Sequence, residues 1–155
     1  MSLITLSDLD RITASKLAEM LRAANATDAN VSNDIAIVDV RDEDHIGGHI
    51  RGSMHFPSRS LDATMPTLLR KLADKETVVF HCALSQQRGP SAALWYLREK
   101  EAVAAAAADR KEGGSETKKQ KVYVLDRGFG GWQEVYGTDE RLTESYRKEL
   151  WEDGY

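Results

Sequence analysis

Three short runs of β-branched and aromatic residues, separated by helix-length segments, constrain the fold of this chain more than any other feature. The runs lie at residues 35–40, 77–80 and 122–125. Their continuous apolar character is typical of strands that are covered on both faces. Apolar residues recur at helical spacing over residues 13–24, 61–72 and 90–108. Because parallel strands need helical crossovers of this kind, the sequence predicts an α/β fold with a central, mainly parallel sheet of about five strands and helices on both faces.

Two short apolar segments and one glycine-rich segment complete the predicted order of elements. Residues 1–6 predict an edge strand, and residues 54–56 predict a short strand that ends at Pro57. Residues 128–132 contain three glycines and predict a tight turn into a last helical region. Residues 109–121 are charged and polar, so we expect a mobile, solvated insertion there.

The composition narrows the class of protein. With 155 residues and 41% hydrophobic content, the chain is long enough for one domain over residues 1–155 and too short for two. The net charge of -4 argues against a nucleic-acid partner, and no apolar run reaches the roughly 20 residues of a membrane span. The single cysteine, Cys82, excludes an internal disulfide and a multi-cysteine metal site. Because proteins without disulfides are typical of reducing compartments, we expect a cytoplasmic or nuclear location.

The strongest chemical signal is the loop over residues 81–90, which follows a predicted strand and precedes a predicted helix. Ligands of parallel α/β sheets bind outside the carboxyl ends of the strands, so this position favours a site. Where a loop curls over a helix N-terminus, several backbone N–H groups point into one concavity and bind an anion. Cys82 begins the loop and Arg88 ends it, where the guanidinium can donate two hydrogen bonds to a tetrahedral oxyanion.

The predicted site combines a nucleophile with an anion-binding loop. Cys82 is expected to react as a thiolate, because the helix N-terminus, the loop amides and Arg88 all favour the charged form. Ser85 can donate a hydrogen bond to the sulfur. The residues expected to bind substrate are Ala83, Leu84, Ser85, Gln86, Gln87 and Arg88.

Several polar side chains around this loop have structural interpretations as well as functional ones. His81 is expected to hydrogen-bond the backbone and fix the loop, and Asp39 to accept donors at the end of its strand. A run of acidic residues is either solvated surface or the source of a leaving-group acid: Asp42, Glu43 and Asp44. Three spaced histidines are expected in turns and at the surface, not as metal ligands: His45, His49 and His55.

A resemblance to a known family covers most of the chain. Residues 81–90, His-Cys-x-x-Ser-x-x-Arg-Gly-Pro, resemble the signature of cysteine-dependent phosphatases of the M-phase-inducer (cell-division-cycle) branch, which is built on the rhodanese fold. Residues 37–41 and 47–53 resemble the Asp-Val-Arg and Gly-His-Ile stretches of rhodanese-like domains, and residues 125–132 resemble their final glycine-rich turn. The resemblance spans about residues 35–136. It extends to small stand-alone fungal members and to the eukaryotic arsenate reductases on the same fold.

This resemblance implies a phosphatase of tyrosine or dual specificity with no cofactor. Cys82 would attack phosphorus and form a phosphocysteine that water hydrolyses, while Arg88 and the loop amides bind the oxygens of a phosphorylated substrate or a small oxyanion such as phosphate or arsenate. The phosphatase branch carries acidic residues within the loop, where this sequence has Ala83 and Gln87. The leaving-group acid is therefore unassigned.

Three alternatives stay open. An arsenate reductase would use the same loop and an external thiol, glutathione or glutaredoxin, because the sequence holds one cysteine. A thiosulfate-type sulfurtransferase would resemble the family as well, although those enzymes carry a loop one residue shorter. A regulatory phosphate reader would keep the loop without turnover.

Overall fold

The computed structural model describes residues 4–26, 34–109 and 120–152. Its main sheet has five parallel strands: β1 (Asp10–Ile12), β2 (Ile35–Asp39), β4 (Met54–His55), β5 (Thr77–His81) and β6 (Lys121–Leu125). Their order across the sheet is β1-β6-β5-β2-β4. A separate antiparallel pair joins β3 (His49–Ile50) to β7 (Thr143–Glu144). The predicted parallel sheet of about five strands is confirmed.

The register of the sheet fixes where the strands end. β2 pairs with β5 from Ile35 opposite Thr77 to Asp39 opposite His81, so these two strands end side by side. β4 is short and pairs only with Val38 and Asp39 of β2. The carboxyl ends of β2 and β5 therefore lie at one edge of the sheet, directly before the two loops that carry the chemistry-bearing residues.

Five α-helices accompany the strands in the described residues. They are α1 (Ala14–Ala26), α2 (Leu61–Leu72), α3 (Arg88–Asp109), α4 (Gly128–Tyr136) and α5 (Lys148–Glu152). Short 3₁₀ turns occupy Leu6–Asp8 and Ser58–Ser60. The hydroxyl of Thr13 accepts a hydrogen bond from the amide of Lys16 at 3.2 Å, so Thr13 caps the N-terminus of α1. No helix of the described residues is long and apolar enough to cross a membrane.

The alternation of side chains along the buried strands divides the core into two layers. Val38, Val78 and Phe80 face α2 and α3, where they pack with buried residues such as Leu68 and Tyr96. Their neighbours Ile37 and Val79 face the other way, into a cluster that contains Leu17 of α1 and Trp132 of α4. The prediction of helices on both faces of the sheet is confirmed, and this double coverage explains the continuous apolar runs.

Two predicted elements differ from the structure. The edge strand is β1 at Asp10–Ile12, and residues 4–6 of the predicted strand instead lead into a turn in which the Thr5 amide donates to the Asp8 carboxylate at 2.8 Å. Residues 1–3 of that prediction lie outside the described residues. Residues 128–132 are the first turns of α4 and not a turn before a helix. The predicted insertion over residues 109–121 lies mostly outside the described residues.

Candidate active site

The loop between β5 and α3 surrounds the sulfur of Cys82. Cys82 follows β5 directly and is almost fully buried. Its Sγ accepts hydrogen bonds from the backbone amide of Ser85 at 3.2 Å and of Gly89 at 3.4 Å. Ser85 reaches this position with a left-handed φ of 54° and a fully buried side chain. Two amides therefore point at the sulfur, an arrangement that stabilises negative charge at that point.

The N-terminus of α4 holds the first half of the loop from outside. The amide of Phe129 donates to the carbonyl of Cys82 at 3.0 Å, and the amide of Gly130 donates to the carbonyl of Ala83 at 2.8 Å. Gly128 has a φ of 56°, and a Cβ at that position would lie 2.5 Å from the carbonyl oxygen of Cys82. Only glycine allows this close approach. The glycine-rich segment thus turns the loop carbonyls outward, a role that the sequence analysis missed.

Arg88, the first residue of α3, is bound by the acidic run that follows β2. Its Nη1 donates to Asp44 Oδ1 at 2.8 Å and its Nη2 to Asp44 Oδ2 at 2.6 Å. Nη1 also lies 3.4 Å from Asp42 Oδ2. Asp44, and to a lesser degree the charge of Cys82, raise the pKa of Arg88 above its ordinary value. The acidic run therefore faces the site through Asp42 and Asp44 and is not simply solvated surface.

Both carboxylates of this contact are kept ionised. The hydrogen bonds from Arg88 lower the pKa of Asp44 to about 2. Partial burial opposes the charge of Asp42, but the Ser58 hydroxyl at 2.6 Å and the Arg59 amide at 3.0 Å outweigh it and lower its pKa. Glu43 points away and pairs with Arg59 at the surface. Neither Asp42 nor Asp44 is protonated near neutral pH in this arrangement.

A buried ion pair anchors the segment that carries the acidic run. Asp39 and Arg41 are both completely buried, and Arg41 Nη2 donates to Asp39 Oδ2 at 2.8 Å and to the Gly48 carbonyl at 2.8 Å. The guanidinium lies over the Phe129 ring at 4.5 Å. Burial opposes the charge of Asp39, yet its pKa is lowered, because Arg41 donates hydrogen bonds to the carboxylate and carries the opposite charge. Because burial keeps His81 neutral, Arg41 is the partner that stabilises this carboxylate.

His81, the last residue of β5, holds the start of the loop through a hydrogen bond to the backbone. Its Nδ1–H donates to the carbonyl of Cys82 at 3.2 Å, as expected for a structural role. Burial lowers the pKa of His81. Its Nε2 has no hydrogen-bond partner among the described residues and lies 3.9 Å from Asp39 Oδ2. His81 is completely buried and so is not exposed to a ligand in the loop.

The three spaced histidines gather into a stack beside the buried ion pair. The rings of His45 and His55 lie 3.8 Å apart and nearly parallel, and those of His45 and His49 lie 5.8 Å apart. His55 Nε2 donates to the Arg41 carbonyl at 2.5 Å. The described residues contain no group of three or more His, Cys, Asp or Glu side chains placed to hold a metal ion. His45 is in contact with Asp39 at 3.4 Å and is not simply a surface residue.

The other residues of the loop differ in their contacts with Cys82 and in their exposure to solvent. Ser85 meets the sulfur through its amide, and its hydroxyl instead accepts from the Cys82 amide at 3.4 Å, which differs from the expected hydroxyl-to-sulfur contact. Leu84 is 56% exposed, and Gln86 and Gln87 also face solvent. The structure therefore brings Cys82, Ser85 and Arg88 together and leaves the other loop side chains at the rim.

This combination of a parallel sheet and a buried Asp-x-Arg pair defines an α/β protein with a cysteine loop at the carboxyl end of its central strand. The family model of the Rhodanese-like domain matches residues 13–135. Because that match covers most of the sequence, the chain belongs to the rhodanese-like domain family. Its fold is the rhodanese fold, as the resemblance implies.

Named relatives fall into two activity groups. Arsenate reductase 2.1 of Oryza sativa is 42% identical over 126 residues, which cover 79% of this chain and 66% of the relative. The dual specificity phosphatase Cdc25 of Arabidopsis thaliana is 43% identical over 103 residues, which cover 64% of this chain and 62% of the relative. The chain thus spans slightly less than two thirds of the length of these two relatives.

A solved structure extends over the whole chain. Ygr203w, described as a yeast protein tyrosine phosphatase of the rhodanese family, is 32% identical and superposes with a TM-score of 0.69. The superposition covers 96% of this chain and 99% of that protein. The chain is therefore similar in its full extent to a small rhodanese-fold protein.

Proposed function

We propose that this protein is a cysteine-dependent phosphatase of tyrosine or dual specificity that hydrolyses phosphate monoesters through a phosphocysteine at Cys82. The observation that carries the proposal is the pair of amides, from Ser85 and Gly89, that donate to Sγ at 3.2 Å and 3.4 Å. A sulfur that accepts hydrogen bonds from backbone amides at a helix N-terminus is suited to react as a thiolate. The phosphatase names of relatives support the same activity.

The proposed reaction has two displacement steps. The Cys82 thiolate attacks phosphorus in line with the leaving oxygen, so the S–P bond forms as the P–O ester bond breaks. Water then attacks the phosphocysteine, releases phosphate and restores the thiolate. The amides of residues 83–88 and the guanidinium of Arg88 bind the equatorial oxygens, whose charge is stabilised where it is spread in the transition state.

The charge state of the acidic run bears on the leaving group. Asp42 and Asp44 are ionised and in contact with Arg88, so neither has a proton to donate in this arrangement. A leaving group that departs without a proton must be a weak base, and a phenolate satisfies this better than an alkoxide. This supports aryl phosphates, including phosphotyrosine, as the better substrates.

Arsenate reduction is the second candidate. Arsenate has the shape of phosphate, so the same loop can bind it. Arsenate has no ester group, so its reduction needs no acid to protonate an alcohol leaving group. The neutral side chains of Ala83 and Gln87 are compatible with this reaction. The relative that is 42% identical is named an arsenate reductase. In this reaction Cys82 displaces water from arsenate, and two external thiol equivalents, from glutathione or glutaredoxin, supply two electrons and end as a disulfide. Either activity needs a reduced Cys82, which supports a cytoplasmic or nuclear location.

Parallel assays separate these functions. Purified protein should hydrolyse phenyl phosphate, and Cys82→Ser should remove that activity. Arsenite formation should be measured in the same preparation with glutathione and glutaredoxin. Hydrolysis that survives Cys82→Ser would overturn the proposal. Arsenite formation without phenyl phosphate hydrolysis would select the second candidate, and a Cys82 persulfide formed only with thiosulfate would select a sulfurtransferase.

A further inference from the structure

A cavity of about 540 Å³ opens at the end of the sheet opposite the cysteine loop. It exists because β4 is only two residues long and leaves the first half of β2 without a strand neighbour on that side. Ile35, at the start of β2, lines it, while Asp39 ends β2 opposite His81, the residue before Cys82. Four residue steps of strand separate the two, about 13 Å at ~3.3 Å per residue. The cavity is therefore distinct from the proposed active site.

The floor of the cavity is apolar. Leu21 of α1, Ile35 of β2 and Met54 of β4 line it and are left half-buried, with the completely covered Leu142 behind them. Gly52 also lines it, and a Cβ at that glycine would meet no atom within 4 Å. Half-buried apolar side chains around a concave space of this volume are typical of small-molecule sites, which range from about 300 to 1,000 Å³.

The rim of the cavity is basic. Four basic residues line it: Arg51, Lys71, Lys75 and Arg141. Arg141 already has an anionic partner, because its guanidinium pairs with Asp139 at 3.3 Å. The Arg51 guanidinium donates to the carbonyl of Glu140 at 3.4 Å, and the Lys71 ammonium lies 5.9 Å from the centre of the Phe56 ring. Among the described residues, no carboxylate lies within 4.0 Å of the charged group of Arg51 or Lys71. Arg51 and Lys71 therefore have no carboxylate partner among the described residues and lie at the rim of an apolar floor, within a chain whose net charge is -4.

We propose that this cavity binds a small organic anion with an apolar, ring-like body, the ring lying on the floor and the anionic group meeting Arg51 and Lys71. Charge complementarity selects the anion, and desolvation of Leu21, Ile35 and Met54 by the ring supplies the apolar part of the binding free energy. An added peptide strand is a poorer occupant, because the unpaired part of β2 covers only residues 35–37. The proposal does not depend on the activity of Cys82.

A matched pair of fluorescent probes tests whether the cavity binds an aromatic anion. 1-Anilinonaphthalene-8-sulfonate carries one anionic group on an aromatic body, and N-phenyl-1-naphthylamine is the same body without the charge. The intact protein should bind the sulfonate at one site, about tenfold tighter than the neutral probe, since one charge-assisted contact contributes on the order of that factor. Equal affinity for the two probes would overturn the proposal.

Variants locate the probe. Arg51→Met combined with Lys71→Met should weaken sulfonate binding about tenfold and leave the neutral probe unchanged. Arg70→Met, which removes the neighbouring exposed charge on α2 outside the cavity, should change neither affinity. The urea midpoint of each variant shows that the fold is kept. Unchanged sulfonate affinity in the double variant would contradict the assignment.

Competition separates the cavity from the cysteine loop. Inorganic phosphate at concentrations that inhibit phenyl phosphate hydrolysis should not displace the sulfonate, and Cys82→Ser should bind it as the unchanged protein does. Displacement by phosphate would place the probe at the loop and overturn the cavity proposal, while leaving the phosphatase proposal intact. Loss of phosphatase activity with retained probe binding would leave the cavity proposal standing alone.

Discussion

Arg88 and Asp44 form a two-point contact in which both terminal nitrogens of the guanidinium meet both carboxylate oxygens, at 2.8 Å and 2.6 Å. The same two nitrogens are the donors that the proposed mechanism needs for the oxygens of the phosphoryl group. Asp44 therefore competes with the substrate for Arg88 in the unliganded protein. In the proposed mechanism, the oxyanion therefore takes guanidinium donors that Asp44 holds in this structure.

The first prediction follows from that competition. Asp44→Asn should tighten inhibition by inorganic phosphate about two- to fivefold, because a partly exposed ion pair contributes about 0.5–1 kcal/mol. Calorimetric titration with phosphate measures this independently of turnover. Glu43→Gln is the matched control, since it removes a neighbouring charge that contacts Arg59 and not Arg88. If both variants change the affinity for phosphate equally, the change comes from the net charge near the site, and Asp44 does not compete with phosphate for Arg88.

The second prediction concerns the glycine that supports the loop. Gly128→Ala places a Cβ 2.5 Å from the Cys82 carbonyl and should reduce kcat/KM at least about tenfold, since displaced loop amides no longer meet the phosphoryl oxygens. Gly52→Ala is the control: its φ of 82° gives a similar backbone strain of about 1–3 kcal/mol, but no atom lies within 4 Å. Gly52→Ala should lose stability and keep activity. Equal activities of the two variants would contradict the supporting role of α4.

The third prediction concerns the buried ion pair. Arg41→Met leaves the Asp39 carboxylate buried without its partner and should lower the free energy of unfolding by about 3–5 kcal/mol, measured in urea. Arg147→Met breaks an exposed pair with Glu149, in which both side chains are more than half exposed, and should cost less than about 1 kcal/mol. A small loss of stability in Arg41→Met would mean that the Asp39–Arg41 ion pair does not hold the segment that carries Asp42 and Asp44.

The fourth prediction is a pH dependence of stability. Burial lowers the pKa of His45 from 6.5 to about 4, so between these values the unfolded chain binds more protons than the folded protein. Stability should therefore fall as the pH drops from 6.5 towards 4, and burial of His81 acts in the same direction. His45→Gln should make this decline shallower when urea midpoints are compared at pH 5 and pH 7. An unchanged decline would show that His45 is not responsible.

Local patterns predicted much of this architecture. The β-branched runs at residues 35–40, 77–80 and 122–125 predicted the three central strands, because strands covered on both faces must be apolar on both. β1 begins later than the apolar start of the chain predicts, because Thr5 and Asp8 form a turn before it. The Thr-x-x-Asp spacing carried the signal of that turn.

The loop over residues 81–90 could be predicted because its chemistry is contiguous in the sequence. The contacts that complete it could not, because they join distant segments: Arg88 to Asp44, and the Cys82 carbonyl to the Phe129 amide. The acidic run had two interpretations, and only the register that ends β2 beside β5 decides that it faces Arg88. Three glycines at residues 128–132 predict a turn, whereas in the structure they lie in α4, and two of them, Gly128 and Gly130, pack closely against the loop.

The central claim, that the Cys82 sulfur is the nucleophile, is tested most directly by trapping its covalent intermediate. Protein mixed briefly with phenyl phosphate, quenched and digested should yield a peptide in which Cys82 carries the added mass of one phosphoryl group. The account predicts this adduct in the unchanged protein and its disappearance on longer incubation as water completes the hydrolysis. Turnover of phenyl phosphate with no modified Cys82, or with the phosphoryl group on another residue, would contradict it.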